Sequence, residues 1–335
     1  MDAVLAPERF RHVVFVDGLP EGIPANQSAC AGHLFPGKPV NAQKARQPSP
    51  QWDQPEPVPP GCEWQVQFLQ WLFDRANLDA SAYRPGSLLR RVPACLRGLR
   101  VDGPEQAVRL LTRNPALIGP ALNTLLIGVT GPFRDRVVFD CLRDRVLPAL
   151  AARGWSRGAR GLRVWSAGCS DGAELYSLAM LLDERSLLAC SDLLGTDARI
   201  EAIEAAAAGV LAPGAVEAVP PHLRKHCIAS EDGVYVSDSL RRRTRWRHAD
   251  VLASVEPGPW DLILCRNLTM YLQPEAASAL YRRLEGEMAP GGFLVLGKAE
   301  RPHGAERLRP AGPCVYRRAT REEILGRPRP AERLR

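Results

Sequence analysis

From residue 64 onward, apolar side chains recur at three- and four-residue spacing. Phe68, Leu69, Leu72 and Phe73 share one face of a helix that begins near Trp64, and Leu88, Leu89, Val92, Leu96 and Leu99 repeat the pattern. Ala107, Val108 and Leu111 place a further helix over 104–112, and another is expected over 115–126. Strand signal is almost absent here, so residues 63–135 read as a small helical domain.

After Phe139 the pattern changes. Short apolar runs at 162–166, 193–196, 260–265 and 293–296 alternate with helical segments. That alternation predicts an α/β fold with a mostly parallel sheet covered on both faces, and ligands at the carboxyl ends of its strands. Gly168, Asp197, Asp250 and Asn267 fall at or shortly beyond those ends. Between 209 and 250 the alternation breaks. Residues 233–238 followed by 241–247 read as a hairpin or small antiparallel insert, about 210–248, whose arginines make either a solvated edge ribbon or a docking surface. The α/β domain spans 136–318, and 319–335 form a basic tail.

Residues 1–62 are rich in Pro, Gln, Gly and Ala and cannot bury enough apolar surface to offset their ordering entropy. A disordered extension is expected, with Val13, Val14, Phe15 and Val16 as a candidate strand within it.

Composition changes this picture little. Of 335 residues, 45% are hydrophobic and 24% charged, the balance of a globular protein. No apolar run approaches the ~18 residues of a membrane span, and the N-terminus lacks a basic region followed by an apolar core. A cytoplasmic location is expected. The nine cysteines include no C-x-x-C pair, so neither a zinc site nor a disulfide framework is supported. Cys169 lies in a glycine loop without a partnering His and reads better as a small core residue than as a nucleophile. The net charge of +7 comes almost entirely from arginine and favours an acidic partner, either nucleic acid or protein.

The chemistry concentrates after the first strand. Residues 163–167 run into Gly168-Cys169-Ser170-Asp171-Gly172 and then a helical pattern, while Asp197 closes the next strand. Glycines let backbone approach a ligand closely, and an acid at the following strand end accepts hydrogen bonds from ribose hydroxyls. The loop is not G-x-G-x-x-G. It suits a ligand with ribose but no pyrophosphate, which points toward S-adenosylmethionine before NAD. A glycine turn between strand and helix also occurs for purely structural reasons, and Asp197 could serve as a helix cap for the segment that follows it.

Several segments in order carry a resemblance. Thr130-Gly131-Pro132-Phe133-Arg134-Asp135, the run from Trp165 to Ala179, Leu194-Gly195-Thr196-Asp197, the run from Asp261 to Tyr271 with Cys265-Arg266-Asn267, and the run from Pro290 to Gly297 resemble the chemotaxis receptor methyltransferases, the CheR family. The resemblance covers about 64–305. It implies a Rossmann-like methyltransferase domain with a small antiparallel β insert, preceded by a small all-helical domain. It also implies S-adenosyl-L-methionine as cofactor, S-adenosyl-L-homocysteine as product, no metal, and methylation of glutamate side chains on chemoreceptor cytoplasmic helices.

By the same resemblance, Arg134 and Tyr271 serve the reacting centre. Cofactor contacts fall to Thr130, Arg134, Gly168, Glu174, Asp197, Asp250, Val251, Asn267 and Leu268. A monomer without direct membrane insertion is implied. Nucleic acid is disfavoured as substrate, because Asn267-Leu268-Thr269-Met270 is not an N-P-P-Y type segment. The chain departs from the family pattern at Ala173 and Leu175 in the loop, at Pro132, and at Lys298-Ala299. The alternative reading is a catalytically weakened cofactor- or receptor-binding signalling module.

Overall fold

The computed structural model describes residues 57–126, 128, 130–156 and 161–325, which belong to one compact unit, 49–335. The candidate strand at 13–16 and the end of the basic tail lie outside the described residues.

The helical segment comprises α1 (Glu63–Arg75), α2 (Pro85–Leu89), α3 (Val92–Leu99), α4 (Pro104–Arg113) and α5 (Ile118–Leu125). Helix α1 buries Phe68, Leu69, Leu72 and Phe73, the face its spacing predicts. Prolines in the first turns of α2, α3 and α4 stand where no intrahelical N–H bond is lost. The expected helix over 115–126 divides into a 3-10 turn, Pro115–Leu117, and α5.

The remaining helices and strands build the α/β part. The chain continues through α6 (Arg136–Cys141), α7 (Leu147–Ser156), β1 (Arg163–Ala167), α8 (Ala173–Glu184), β2 (Asp192–Asp197), α9 (Ile200–Ala208) and β3 (Val210–Leu211). Next come α10 (Ala215–Ala218), β4 (Cys227–Ser230), β5 (Gly233–Val236), α11 (Asp238–Arg241), β6 (Thr244–His248) and β7 (Trp260–Leu264). Last are α12 (Pro274–Glu287), β8 (Met288–Val295), β9 (Leu308–Gly312), β10 (Val315–Arg318) and α13 (Arg321–Leu325). The seven-stranded sheet has the order β6-β2-β1-β7-β8-β10-β9. Strands β6, β2, β1, β7 and β8 are parallel, and β10 is antiparallel to both β8 and β9.

Register explains why the strands read as continuous apolar runs. Leu194, Trp165, Ile263 and Leu294 align across β2, β1, β7 and β8 and join the core shared with the helical segment and α12. Their neighbours Leu193, Val164, Leu262 and Phe293 form the next row and pack against α6, α7 and α8 on the opposite face. Successive side chains point to opposite faces, so a strand covered on both must be apolar throughout.

One expectation is corrected. The small antiparallel sheet is β3-β5-β4, within the expected insert, but the arginine-rich residues 241–247 do not belong to it. They form the end of α11 and β6, the parallel edge strand of the main sheet. An edge strand needs only one apolar face. Thr244 is buried and Trp246 packs against Tyr176, while Arg245 and Arg247 pair at the rim with Asp192 and Glu256. The arginines concealed the strand by outnumbering its inward residues.

Candidate functional site

Strand order reverses beside β1. The chain steps from β1 to β2 and β6 on one side and to β7 and β8 on the other, which opens a crevice at the carboxyl ends. The loop after β1 turns sharply there. Gly168, Ser170 and Gly172 all have positive φ, at 70°, 52° and 82°. The N–H groups of Gly168 and Cys169 donate to Thr196 O at 2.8 and 2.9 Å, which ties the loop to the end of β2. At Gly172 a Cβ would stand 2.5 Å from the Trp246 ring, so glycine is required both by conformation and by space.

The crevice is an open cavity whose empty space, counted together with the solvent at its mouth, is about 890 Å³. Every site residue expected from the sequence lines it. Gly168 and Glu174 come from the loop and the start of α8, Asp197 from the end of β2, and Asp250 and Val251 from the turn after β6. Asn267, Leu268 and Tyr271 follow β7, and Thr130 and Arg134 enter from the segment before α6. The helical segment closes the other wall with Tyr83, Leu88 and Arg91. A short antiparallel contact holds that wall to the loop after β7: Arg84 N donates to Tyr271 O, and Gln273 N to Ala82 O, each at 2.8 Å.

Buried polar atoms of this lining lack partners within the protein: Thr130 Oγ1, Asn267 Oδ1 and Arg91 Nη2. Such atoms are costly unless a ligand or water satisfies them. Three carboxylates, Glu174, Asp197 and Asp250, suit a ligand that carries cationic groups and a polyhydroxylated sugar. Burial pushes the Asp250 carboxyl up, against the backbone N–H of Leu252, which donates to it at 2.8 Å. Asp197 does not take the capping place of α9, which falls to Arg199; it accepts from Ser170 N at 2.8 Å and from Arg199.

Residues outside the expected set hold the lining in place. Arg266, with a side chain only 1% exposed, gives Nη1 to Glu174 Oε1 at 2.6 Å and Nη2 to Asp135 Oδ2 at 2.7 Å and Arg134 O at 3.0 Å. It thereby fixes the turn at Phe133 and Asp135, both at positive φ, from which Arg134 projects. Burial raises the Asp135 carboxyl, but Lys298 and Arg266 more than offset this and hold it below its ordinary value. Burial pushes the Glu174 carboxyl up to about 7, with Arg266 and Arg134 pulling the other way. Glu300 anchors the loop after β7, accepting from Asn267 N at 2.9 Å and Thr269 N at 2.7 Å. Arg266, Arg91 and Glu300 stand inside or beside segments the sequence marks out, though without assigned roles; Arg199 carried no such signal.

The departures from the family pattern are accommodated by packing. Leu175 lies in the core beneath the sheet, Ala173 is buried at the first turn of α8, and Lys298 pairs with Asp135 at 2.6 Å. Cys169 is buried and burial raises its thiol well above the ordinary value, so it presents no thiolate.

A family model described as CheR methyltransferase, SAM binding domain, matches residues 128–310. The chain belongs to the CheR family. It is 33% identical over 226 residues to chemotaxis protein methyltransferase 1 of Pseudomonas aeruginosa, covering 64% of this chain and 74% of the relative. It is 28% identical over 225 residues to a chemotaxis protein methyltransferase of Listeria monocytogenes, covering 67% and 84%. A Vibrio parahaemolyticus chemotaxis protein methyltransferase is 32% identical over 199 residues, covering 56% and 70%. This CheR family member is an S-adenosylmethionine-dependent methyltransferase, and the unpartnered polar atoms and carboxylates of its cavity fit that cofactor. Among the described residues no group of His, Cys, Asp and Glu is arranged to hold a metal, and no helix is long and apolar enough to cross a membrane.

Proposed function

We propose that the protein transfers a methyl group from S-adenosylmethionine to glutamate side-chain carboxylates on chemoreceptor cytoplasmic helices, forming methyl esters. The observation that carries this reading is the convergence of Arg134, Glu174, Asp197, Asn267 and Tyr271, from widely separated segments, on one cavity. In this reading residues 63–135 form a helical domain that walls the cofactor site of the 136–318 methyltransferase domain.

Asp197 would accept from the ribose hydroxyls, Asp250 and Val251 would flank the adenine, and Glu174 with Thr130 and Asn267 would hold the polar tail. Gly168 and Leu268 would bound the sugar, since a Cβ at Gly168 would already touch Leu268 at 3.3 Å. Arg134 and Tyr271 would hold the substrate carboxylate, with Arg91 stacked 5.3 Å from the Tyr271 ring. The cofactor when bound supplies a sulfonium-activated methyl group.

The protein's remaining task is modest. A substrate carboxyl with a pKa near 4.3 is already ionised at pH 7, so no general base is required. This agrees with a cavity lining that contains no histidine. Orientation and exclusion of water dominate, and proximity alone is worth roughly 7–11 kcal/mol. A forked guanidinium such as Arg134 suits a planar carboxylate.

The test is transfer of radiolabelled methyl groups to purified receptor cytoplasmic fragments. Base-labile incorporation that is lost when the receptor glutamates are changed to alanine is expected. Cofactor binding without incorporation would sink the enzyme assignment to receptor glutamate and favour a signalling module instead.

A further inference from the structure

Asp197 is fully occupied. Its Oδ1 accepts from Arg199 N and Arg199 Nε, both at 3.0 Å, and its Oδ2 accepts from Ser170 N at 2.8 Å and Arg199 Nη2 at 3.3 Å. An ionised carboxylate offers about four lone-pair positions, and these donors fill them. A ribose cannot give its hydroxyls to this carboxylate until a donor leaves. The two backbone N–H groups belong to the loop after β1 and the turn into α9, so removing them means unfolding those turns. The guanidinium hangs on a flexible side chain and can move alone.

The guanidinium has somewhere to go. Nη2 also reaches Ser170 Oγ at 3.2 Å, and Nη1 points to Leu126 O at 3.5 Å; Ser170 Oγ in turn donates to Gly128 O at 2.8 Å. The side chain is 12% exposed and lines the cavity, so after leaving Asp197 it would keep acceptors on the segment that leads to Thr130.

We propose that Arg199 is an internal competitor for the ribose subsite: its guanidinium holds Asp197 in the free protein, is displaced by the ribose hydroxyls, and so sets the cofactor affinity. The inference rests on Asp197 being the ribose acid. Apparent affinity falls in proportion to the fraction of protein whose site is open, so an open form populated at about a tenth weakens binding about tenfold. The displaced guanidinium leans on Leu126 O and, through Ser170 Oγ, on Gly128 O, which links cofactor occupancy to the stretch of chain that carries Thr130 and Arg134.

Calorimetric titration with S-adenosylmethionine and S-adenosylhomocysteine tests this on the full chain. Arg199→Gln removes the competing charge and is expected to bind both ligands about tenfold more tightly. Arg199→Lys keeps a cation within reach of Asp197 and is expected to fall between wild type and Arg199→Gln. Asp197→Asn is expected to bind at least tenfold more weakly, and the double variant no more tightly than Asp197→Asn, because the competitor acts only through that carboxylate. Thermal melting of each variant establishes that it is folded before titration. Wild-type or weaker binding by a folded Arg199→Gln, alongside weakened Asp197→Asn, would overturn the competitor while leaving the ribose acid in place. Unchanged binding by Asp197→Asn would instead overturn the ribose assignment itself.

Discussion

Arg266 Nη1 stands 2.6 Å from Glu174 Oε1, and both residues are buried against the cavity. The pair links the strand end after β7 to the first turn of α8, and through Asp135 it also reaches the turn that carries Arg134. One guanidinium thus sets the relative position of three segments that line the site.

Removing Arg266 leaves two carboxylates, Glu174 and Asp135, without their shared partner. Breaking a buried pair in this way costs about 3–5 kcal/mol. Arg266→Met should therefore lower the unfolding free energy by that order in a urea titration. A loss below 1 kcal/mol would mean that the network contributes little to stability.

The raised Glu174 carboxyl predicts a pH dependence of cofactor binding. Burial holds it up at about 7 in the folded protein against an ordinary 4.5. Between those values the folded state keeps a proton that the unfolded chain releases, so this group's contribution to stability falls as pH rises from 4.5 and is fully lost above about 7. A cationic cofactor next to Glu174 favours the ionised form, so affinity should rise with pH through about 7, with proton release on binding below it. Calorimetry in buffers of different ionisation enthalpy measures that proton. Glu174→Gln should flatten the profile, and a profile unaltered by this substitution would place the titrating group elsewhere.

Arg134 and Asp197 should separate binding from turnover. Asp197→Ala is expected to weaken cofactor binding by about 1–3 kcal/mol through lost hydrogen bonds. Arg134→Ala should leave cofactor affinity closer to wild type and lower kcat by a larger factor. Steady-state kinetics paired with direct binding distinguish the two, and equal losses of both quantities in Arg134→Ala would remove it from the reacting centre.

At Gly172 the structure predicts a steep cost. A non-glycine residue at φ 82° is strained by about 1–2 kcal/mol, and the added Cβ meets Trp246 at 2.5 Å. Gly172→Ala should lower Tm clearly, whereas Gly286→Ala, whose Cβ meets nothing within 4 Å, should not. Equal melting of the two variants would show that the loop yields freely.

Much of this protein is legible in its sequence by itself. Helical spacing in α1 and α3 and the unbroken apolar runs of β1, β2, β7 and β8 follow from local periodicity, because burial on one face or on both leaves a direct mark on residue order. Gly168, Asp197 and Asn267 could be placed at strand ends for the same reason. Strand β6 could not, since an edge strand whose outer residues are arginines mimics a solvated ribbon. Nor could Arg266, Arg199, Arg91 or Glu300 be assigned partners. Their roles depend on which distant chain segments meet at the crevice, and that is decided by sheet order and by the docking of residues 82–84 against 271–273, which no local pattern records.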